Sequence, residues 1–328
     1  MLRMIRWPWL SIYLIYPYIR TLLVFAQQKN SRILRNNKSL PKGLNLSNIL
    51  SLMRLEAYMP ICFFSTLVGL HISGSTHSLI SLLTIGFANT FVMVATCAFN
   101  DAEDIPEDKH VLSTRNVIAL GKASRFTGYI VAAVAAAISF ILSIFAGVIV
   151  CLIILAFLVT TFLYSWRPVR LKGIPFLDLC THFIMGGLMF LSSAWSSQEG
   201  IIWKNHVLLI CLLSSLGVTL ALLAHQLFDY EDDLAANIRT TVVVLGKRKT
   251  YWIKGFMYFL IVILLANEYL SGFFPFKLIL SFFVVTSFLI LLSIALYPKQ
   301  AFCVSKRVIP WAVNAGGVAA IFMWYISW

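Results

Sequence analysis

Residues 78–108 read SLISLLTIGFANTFVMVATCAFNDAEDIPED. From Ser78 to Phe99 no charged side chain interrupts the run. At about 1.5 Å per residue, a helix of that length crosses a hydrocarbon core of about 30 Å. Five carboxylates then crowd the end of the stretch: Asp101, Glu103, Asp104, Glu107 and Asp108. An apolar rod with an acidic tip belongs in a bilayer, with the tip at its surface.

The rest of the chain repeats the apolar half of this pattern. Of 328 residues, 60% are hydrophobic and 12% charged, whereas soluble domains run near 25% charged. Spans are predicted near 46–72, 78–99, 125–144, 146–164, 174–196, 205–228, 250–269, 275–297 and 308–327. The expected fold is therefore an all-α membrane bundle of about nine transmembrane helices. Segment 7–26 is also apolar but carries Arg20 at its middle. A central Arg costs a spanning helix about 2.5 kcal/mol or more, so this segment is expected to lie at the interface rather than span. It has no small-residue cleavage site that would mark a signal peptide. Segment 27–45 is polar and basic, with Pro41 and Gly43, and reads as a linker. The chain thus divides into 1–45, an interfacial helix and linker, and 46–328, the transmembrane domain.

The net charge of +13 would suggest nucleic-acid binding in a soluble protein. Here the cations sit in short loops between spans, which topology explains, and no nucleic-acid partner is expected. Segments 27–45, 100–124, 165–173, 229–249 and 298–307 hold nearly all the loop Lys and Arg, while the opposite loops hold little beyond Lys204 and Lys277. That bias places the basic segments in the cytoplasm, with the protein in the inner (plasma) membrane, and puts both acidic windows on one face. The six cysteines, Cys62, Cys97, Cys151, Cys180, Cys211 and Cys303, occur singly in apolar stretches and read as small hydrophobes.

Nine of the thirteen Asp and Glu fall in two windows, 100–108 and 229–233. Asn100 and Asp104 are four apart, as are Asp229 and Asp233, so each pair shares a helix face. Carboxylates packed at a membrane boundary repel one another unless a cation joins them. Magnesium prefers oxygen ligands, takes one or two carboxylates, and completes its shell with water and phosphate oxygens. A diphosphate is its natural companion. Pro106 disfavours helix at Ile105, so Asp108 is expected to turn off the helix and approach from another angle. Two solvated acidic loops are the plain alternative. Calcium also suits the ligand type, although neither window has EF-hand glycine spacing. A cation-coupled transporter would instead string ionisable residues through the bilayer midplane.

These residues resemble the UbiA superfamily of intramembrane prenyltransferases. Asn100, Asp101, Asp104 and Asp108 match its N-D-x-x-D-x-x-x-D signature, and Asp229 and Asp233 match its D-x-x-x-D. Arg239–Gly246 is similar to the R-T-x-x-V-x-L-G that follows in many members, Arg115–Ser124 to the R-P-L-x-x-G-x-I-S stretch, and Tyr164–Gly173 to a tyrosine-and-basic loop. Asn116 stands where proline is usual, and Asn237 where glycine is common. The resemblance, over 46–328, implies a bundle around a central cavity in which Mg2+ bridges the aspartates to a polyprenyl diphosphate.

On that resemblance the metal ligands are Asn100, Asp104, Asp108, Asp229 and Asp233, and the diphosphate-binding cations are Arg54, Arg115, Lys122, Arg170 and Lys172. Asp104, Asp233, Tyr164 and Asp178 are the catalytic candidates. The acceptor is hydrophobic, aromatic or isoprenoid; a membrane terpene cyclase is the alternative within the superfamily. Several of these residues also have structural readings. Arg54 suits a buried ion pair, with Glu56 nearby; Asp178 suits a helix cap; and Tyr164 suits an interfacial belt. His182 and His225 read as packed histidines, and Asn314 as helix-packing glue.

Overall fold

The computed structural model describes residues 46–73, 79–109, 116–195, 205–235 and 238–270. All fall in one compact unit, Gly43–Trp328. The elements are α1 (Leu46–Met53), α2 (Leu55–Ser73), α3 (Leu79–Glu103), α4 (Ile105–Asp108), α5 (Arg125–Ala146), α6 (Val148–Ser165), a 3-10 turn (Leu171–Gly173), α7 (Leu177–Ala194), α8 (Asn205–Phe228), α9 (Tyr230–Ala235), α10 (Thr241–Leu245) and α11 (Lys247–Leu270).

Seven helical stretches among the described residues are long and apolar enough to span: Leu46–Ile72, Leu79–Glu103, Arg125–Ala146, Val148–Ser165, Leu177–Ala194, Val207–Phe228 and Lys247–Asn267. They correspond to the first seven spans expected from hydropathy. The expected spans 275–297 and 308–327, the segment 7–26 and Asn314 lie outside the described residues. The protein is an integral membrane protein with an all-helical fold. Its outer surface agrees: Ile80, Phe145, Val148, Phe259 and Val262 are exposed apolar side chains that lipid, not water, can cover.

The bundle is held by close approach of small residues, because lipid offers no hydrophobic drive for helices to associate. On α5 the buried positions are Gly128, Ala132, Ala135, Ser139 and Ser143, one stripe at helical spacing that faces the bundle. A Cβ on Gly69 of α2 would stand 2.5 Å from Ser193 Cβ of α7, and one on Gly186 of α7 would stand 2.9 Å from the Ser214 carbonyl oxygen of α8. Backbone-level contact of this kind fixes helix positions tightly.

A polar knot reinforces α2, α3 and α7. Asn89 donates through Nδ2 to Thr66 Oγ1 at 3.2 Å and Ser193 Oγ at 3.3 Å, and its Oδ1 accepts from Ser192 Oγ at 2.9 Å. All four residues are buried, and each polar group finds its partner inside the bundle.

Successive spans alternate in direction. The ends of α3, α6 and α8 therefore emerge on one face together with the start of the first span. This brings 100–109, 166–176 and 229–246 to a common surface.

Candidate diphosphate and metal site

The first acidic window is a helix that bends but does not stop. α3 ends at Glu103, Asp104 takes φ −89°, ψ 9°, and α4 follows with Pro106 in its first turn. Proline fits there because first-turn N–H groups have no helical acceptor in any case. The i to i−4 bonding continues through the bend: Asp104 N donates to Asn100 O, and Asp108 N to Asp104 O, both at 2.9 Å. Asn100, Asp104 and Asp108 thus stay in one register. This corrects the expectation that Pro106 turns Asp108 off the helix.

The basic loop after α6 closes over this tip. Lys172 donates to Asn100 Oδ1 at 2.9 Å and also contacts the Asp104 carboxylate, while Arg170 Nη2 lies 3.5 Å from Asp104 Oδ1. Asn100 Oδ1 accepts a second bond from Ser165 Oγ at 2.9 Å. Burial pulls the Lys172 ammonium below its ordinary value, and Asp104 pulls it back up. Burial pushes the Asp108 carboxyl up, with Asp104 adding to the effect and the Asn116 hydrogen bond opposing it.

Arg54 reaches the same tip from the junction of α1 and α2, where its Nη2 donates to Asp101 Oδ1 at 2.6 Å. Asp101 is 2% exposed, and its Oδ2 has no hydrogen-bond partner among the described residues. Only three non-glycine residues among those described have left-handed φ: Arg54, Arg170 and Phe176. That conformation costs an L residue about 1–2 kcal/mol. Two of the three are the arginines that pair with the acids, Arg54 with Asp101 and Arg170 with Asp104 and Glu107.

Glu103 and Glu107 anchor the loop, a role that sequence reading missed. Glu103 is 4% exposed and accepts from Arg125 Nη2 at 3.0 Å and from Tyr129. Arg167 bonds the Glu103 carbonyl through Nε and Nη2, both at 3.0 Å, and bonds Glu107 at 3.0 Å. Arg170 Nη1 donates to Glu107 Oε1 at 2.8 Å. Burial works against the Glu107 charge, yet the two guanidiniums hold its carboxyl below the ordinary value. The available signal was the i, i+4 spacing of Glu103 and Glu107 opposite a loop with two arginines.

The second window begins where α8 ends. Asp229 Oδ2 lies 2.8 Å from His225 Nδ1. Asp233 N donates to Asp229 O at 2.8 Å, keeping the pair in helical register, and Asp233 Oδ2 accepts from Thr240 Oγ1 at 3.3 Å. Tyr164 lies at the end of α6, next to Ser165, which bonds Asn100. Its ring packs edge-on to His182, with centroids 4.8 Å apart.

Asp178 is fully buried. Its Oδ2 accepts from Gln226 Nε2 at 2.7 Å and Thr241 N at 3.0 Å, and its Oδ1 accepts from Leu179 N at 2.7 Å and from Thr241 Oγ1. It therefore ties α7 to α8 and to the start of α10. Lys122 is exposed and makes no ion pair among the described residues. Arg115 and Asn237 lie outside those residues.

The donors gathered here are carboxylate and amide oxygens, the ligand type of a hard dication. Among the described residues no three of His, Cys, Asp and Glu close into a cage. Magnesium is typically bound by one or two carboxylates and completed by phosphate and water. With the buried Asp101 Oδ2 unpartnered among the described residues, this tip has spare oxygen-acceptor capacity, and the donor set fits magnesium.

The model of the UbiA prenyltransferase family matches residues 62–327. Among solved structures, a UbiA homologue from Archaeoglobus fulgidus bound to DMAPP and Mg2+ is 18% identical, with TM-score 0.60, covering 84% of this chain and 99% of its own. An apo UbiA homologue from Aeropyrum pernix K1 is 18% identical, with TM-score 0.60, covering 87% of this chain and 99% of its own. A structure of digeranylgeranylglyceryl phosphate synthase is 21% identical, with TM-score 0.57, covering 84% of this chain and 98% of its own. At these identities the likeness establishes a common fold. Curated protein sequences give no match.

Proposed function

The chain belongs to the UbiA prenyltransferase family, and from that premise we propose that it transfers a polyprenyl group from a prenyl diphosphate to a lipophilic acceptor, aromatic or isoprenoid, with magnesium as its metal. The observation that carries this reading is the contact of Lys172 with Asn100 and Asp104, beside Arg170. A buried cation set into a face of hard oxygen donors suits a dication and a polyanion bound together. The A. fulgidus homologue, bound to DMAPP and Mg2+, and the digeranylgeranylglyceryl phosphate synthase support the same substrate class.

Asn100, Asp104 and Asp108 from one helix tip, with Asp229 and Asp233 from the other, would hold the metal. Bound magnesium neutralises diphosphate oxygens and so eases departure of pyrophosphate. Lys172, Arg170 and Arg54 supply further fixed positive charge where the leaving group gathers its electrons. The allylic C–O bond breaks with its electron pair going to pyrophosphate. A nucleophilic carbon of the acceptor then forms the new bond and gives up a proton. Tyr164, beside Ser165 at the end of α6, offers a ring face to the positive prenyl fragment. The lipid-embedded bundle keeps water from capturing that fragment.

The basic loops put this chemistry on the cytoplasmic side of the inner (plasma) membrane. The proposed chemistry belongs to 46–328.

The test is incubation of membranes with radiolabelled prenyl diphosphate and magnesium. Pyrophosphate release that depends on Asp104 is the expected result. Prenyl diphosphate binding that survives chelation undiminished, or ion flux without pyrophosphate release, would overturn the reading. Mass spectrometry of lipid extracts from cells expressing wild type or Asp229→Ala identifies the acceptor, and a product cyclised within its own chain would mark a cyclase instead.

A further inference from the structure

Asn116 departs from the proline usual at its place in the family, and the structure gives that departure a use. The residue is 1% exposed. Its Nδ2 donates to the Asp101 carbonyl oxygen at 2.7 Å and to Asp108 Oδ2 at 2.8 Å. Its Oδ1 accepts from the N–H groups of Ile118 at 2.9 Å and Ala119 at 3.2 Å. Two acceptors face the amide nitrogen and two donors face the oxygen, so only one orientation of the amide satisfies all four.

The two acceptors lie on opposite sides of the bend at Asp104. Asp101 belongs to α3, and Asp108 closes α4, a four-residue helix. A helix that short has almost no stability of its own. Arg167 ties the two pieces from one side, through the Glu103 carbonyl and the Glu107 carboxylate, and Asn116 ties them from the other, through the Asp101 carbonyl and Asp108. It leaves Asp108 Oδ1 without a hydrogen bond among the described residues.

We infer that Asn116 is a positioning residue: it clamps α4 to α3 and aims Asp108 so that its free oxygen stands in register with Asp104 for a metal-bridged diphosphate. The inference rests on the site reading proposed above, and it differs from a plain loop-capping role in one respect. Capping needs only Oδ1, whereas aiming Asp108 needs Nδ2. Asn116→Asp separates them, because it keeps an acceptor for Ile118 and Ala119 and removes the donor to Asp108 and to the Asp101 carbonyl.

The experiment titrates Mn2+, with inorganic pyrophosphate present, into detergent-solubilised full-length protein and reads free Mn2+ by electron paramagnetic resonance. Outer partners of metal ligands typically control affinity by about 10–100-fold. Asn116→Asp is expected to weaken Mn2+ binding by that factor and to lower the metal-free melting temperature, because its carboxylate faces Asp108 Oδ2 and the Asp101 carbonyl oxygen with no donor between them. A wild-type circular dichroism spectrum at the assay temperature shows that the comparison is between folded proteins. In an Asp108→Asn background the same change should add less than about 2-fold, since the two act as one unit. Binding by Asn116→Asp equal to wild type would overturn the inference and leave the site reading standing. Asp108→Asn alone gives an independent route that needs no folded Asn116 variant, and Mn2+ binding unchanged in it would also overturn the inference. Wild-type protein that fails to bind Mn2+ would overturn the site reading and this inference with it.

Discussion

Lys172 rests its ammonium on the carboxylate of Asp104, although 68 positions separate the two in sequence. Lys172 is among the most enclosed cations of the site, with 14% of its side chain exposed. Burial of an ammonium is costly unless its partners are fixed. Here Asn100 and Asp104, one helical turn apart, supply them.

Lys172→Met keeps most of the side-chain volume and removes the charge. It should raise KM for prenyl diphosphate and lower kcat by about 100-fold or more, the usual cost of deleting one stabilising group at a leaving anion. Steady-state pyrophosphate release against substrate concentration measures both effects.

Chelation should abolish turnover in membranes, and added magnesium should restore it. Asp104→Ala and Asp229→Ala should each raise the magnesium concentration for half-maximal activity by about 10-fold or more, one from each acidic window. Magnesium titrations of pyrophosphate release check this. An effect confined to one window would separate the two helix tips functionally.

Asp178→Ala would strand the Gln226 amide, the Thr241 hydroxyl and the Thr241 N–H, all of which now donate to this carboxylate. Buried donors without acceptors cost about 1–3 kcal/mol apiece. The variant should therefore lose about 3 kcal/mol or more of stability, visible as a lower melting temperature in detergent. Activity should fall too, because Thr241 immediately follows Thr240, the residue that bonds Asp233.

Gly69→Ala should destabilise by about 1–3 kcal/mol, since its Cβ would meet Ser193 Cβ at 2.5 Å and force α2 away from α7. Gly217→Ala on α8 provides the contrast, with nothing within 4 Å of the added carbon. It should be neutral or gain up to about 1 kcal/mol from helix propensity. Thermal unfolding of the two variants side by side distinguishes packing from propensity.

Chain-local patterns already determined much of this protein. Uninterrupted apolar runs set its solvent and most of its span boundaries, because length and hydropathy alone decide whether a helix crosses a bilayer. The four-residue spacing of Asn100 with Asp104, and of Asp229 with Asp233, set which side chains share a face. Each of these properties depends only on neighbours within a few turns.

Tertiary structure decided which charges meet. The i, i+4 spacing of Glu103 and Glu107 marks a shared face but does not say that Arg167 and Arg170 will meet it, and nothing around Asp178 announces Gln226 and Thr241. Those partners come from helices whose packing depends on glycine contacts such as Gly69 on Ser193. The same holds at Pro106, where the local rule predicts a break. The bend is instead absorbed at Asp104, and Asn116 on the following loop clamps Asp108 to the end of α3. A carboxylate's spacing fixes the direction in which it points, but the group it finds there is set by the approach of segments far away in the chain. Long-range electrostatic and hydrogen-bond pairing has no local sequence period from which it could be read.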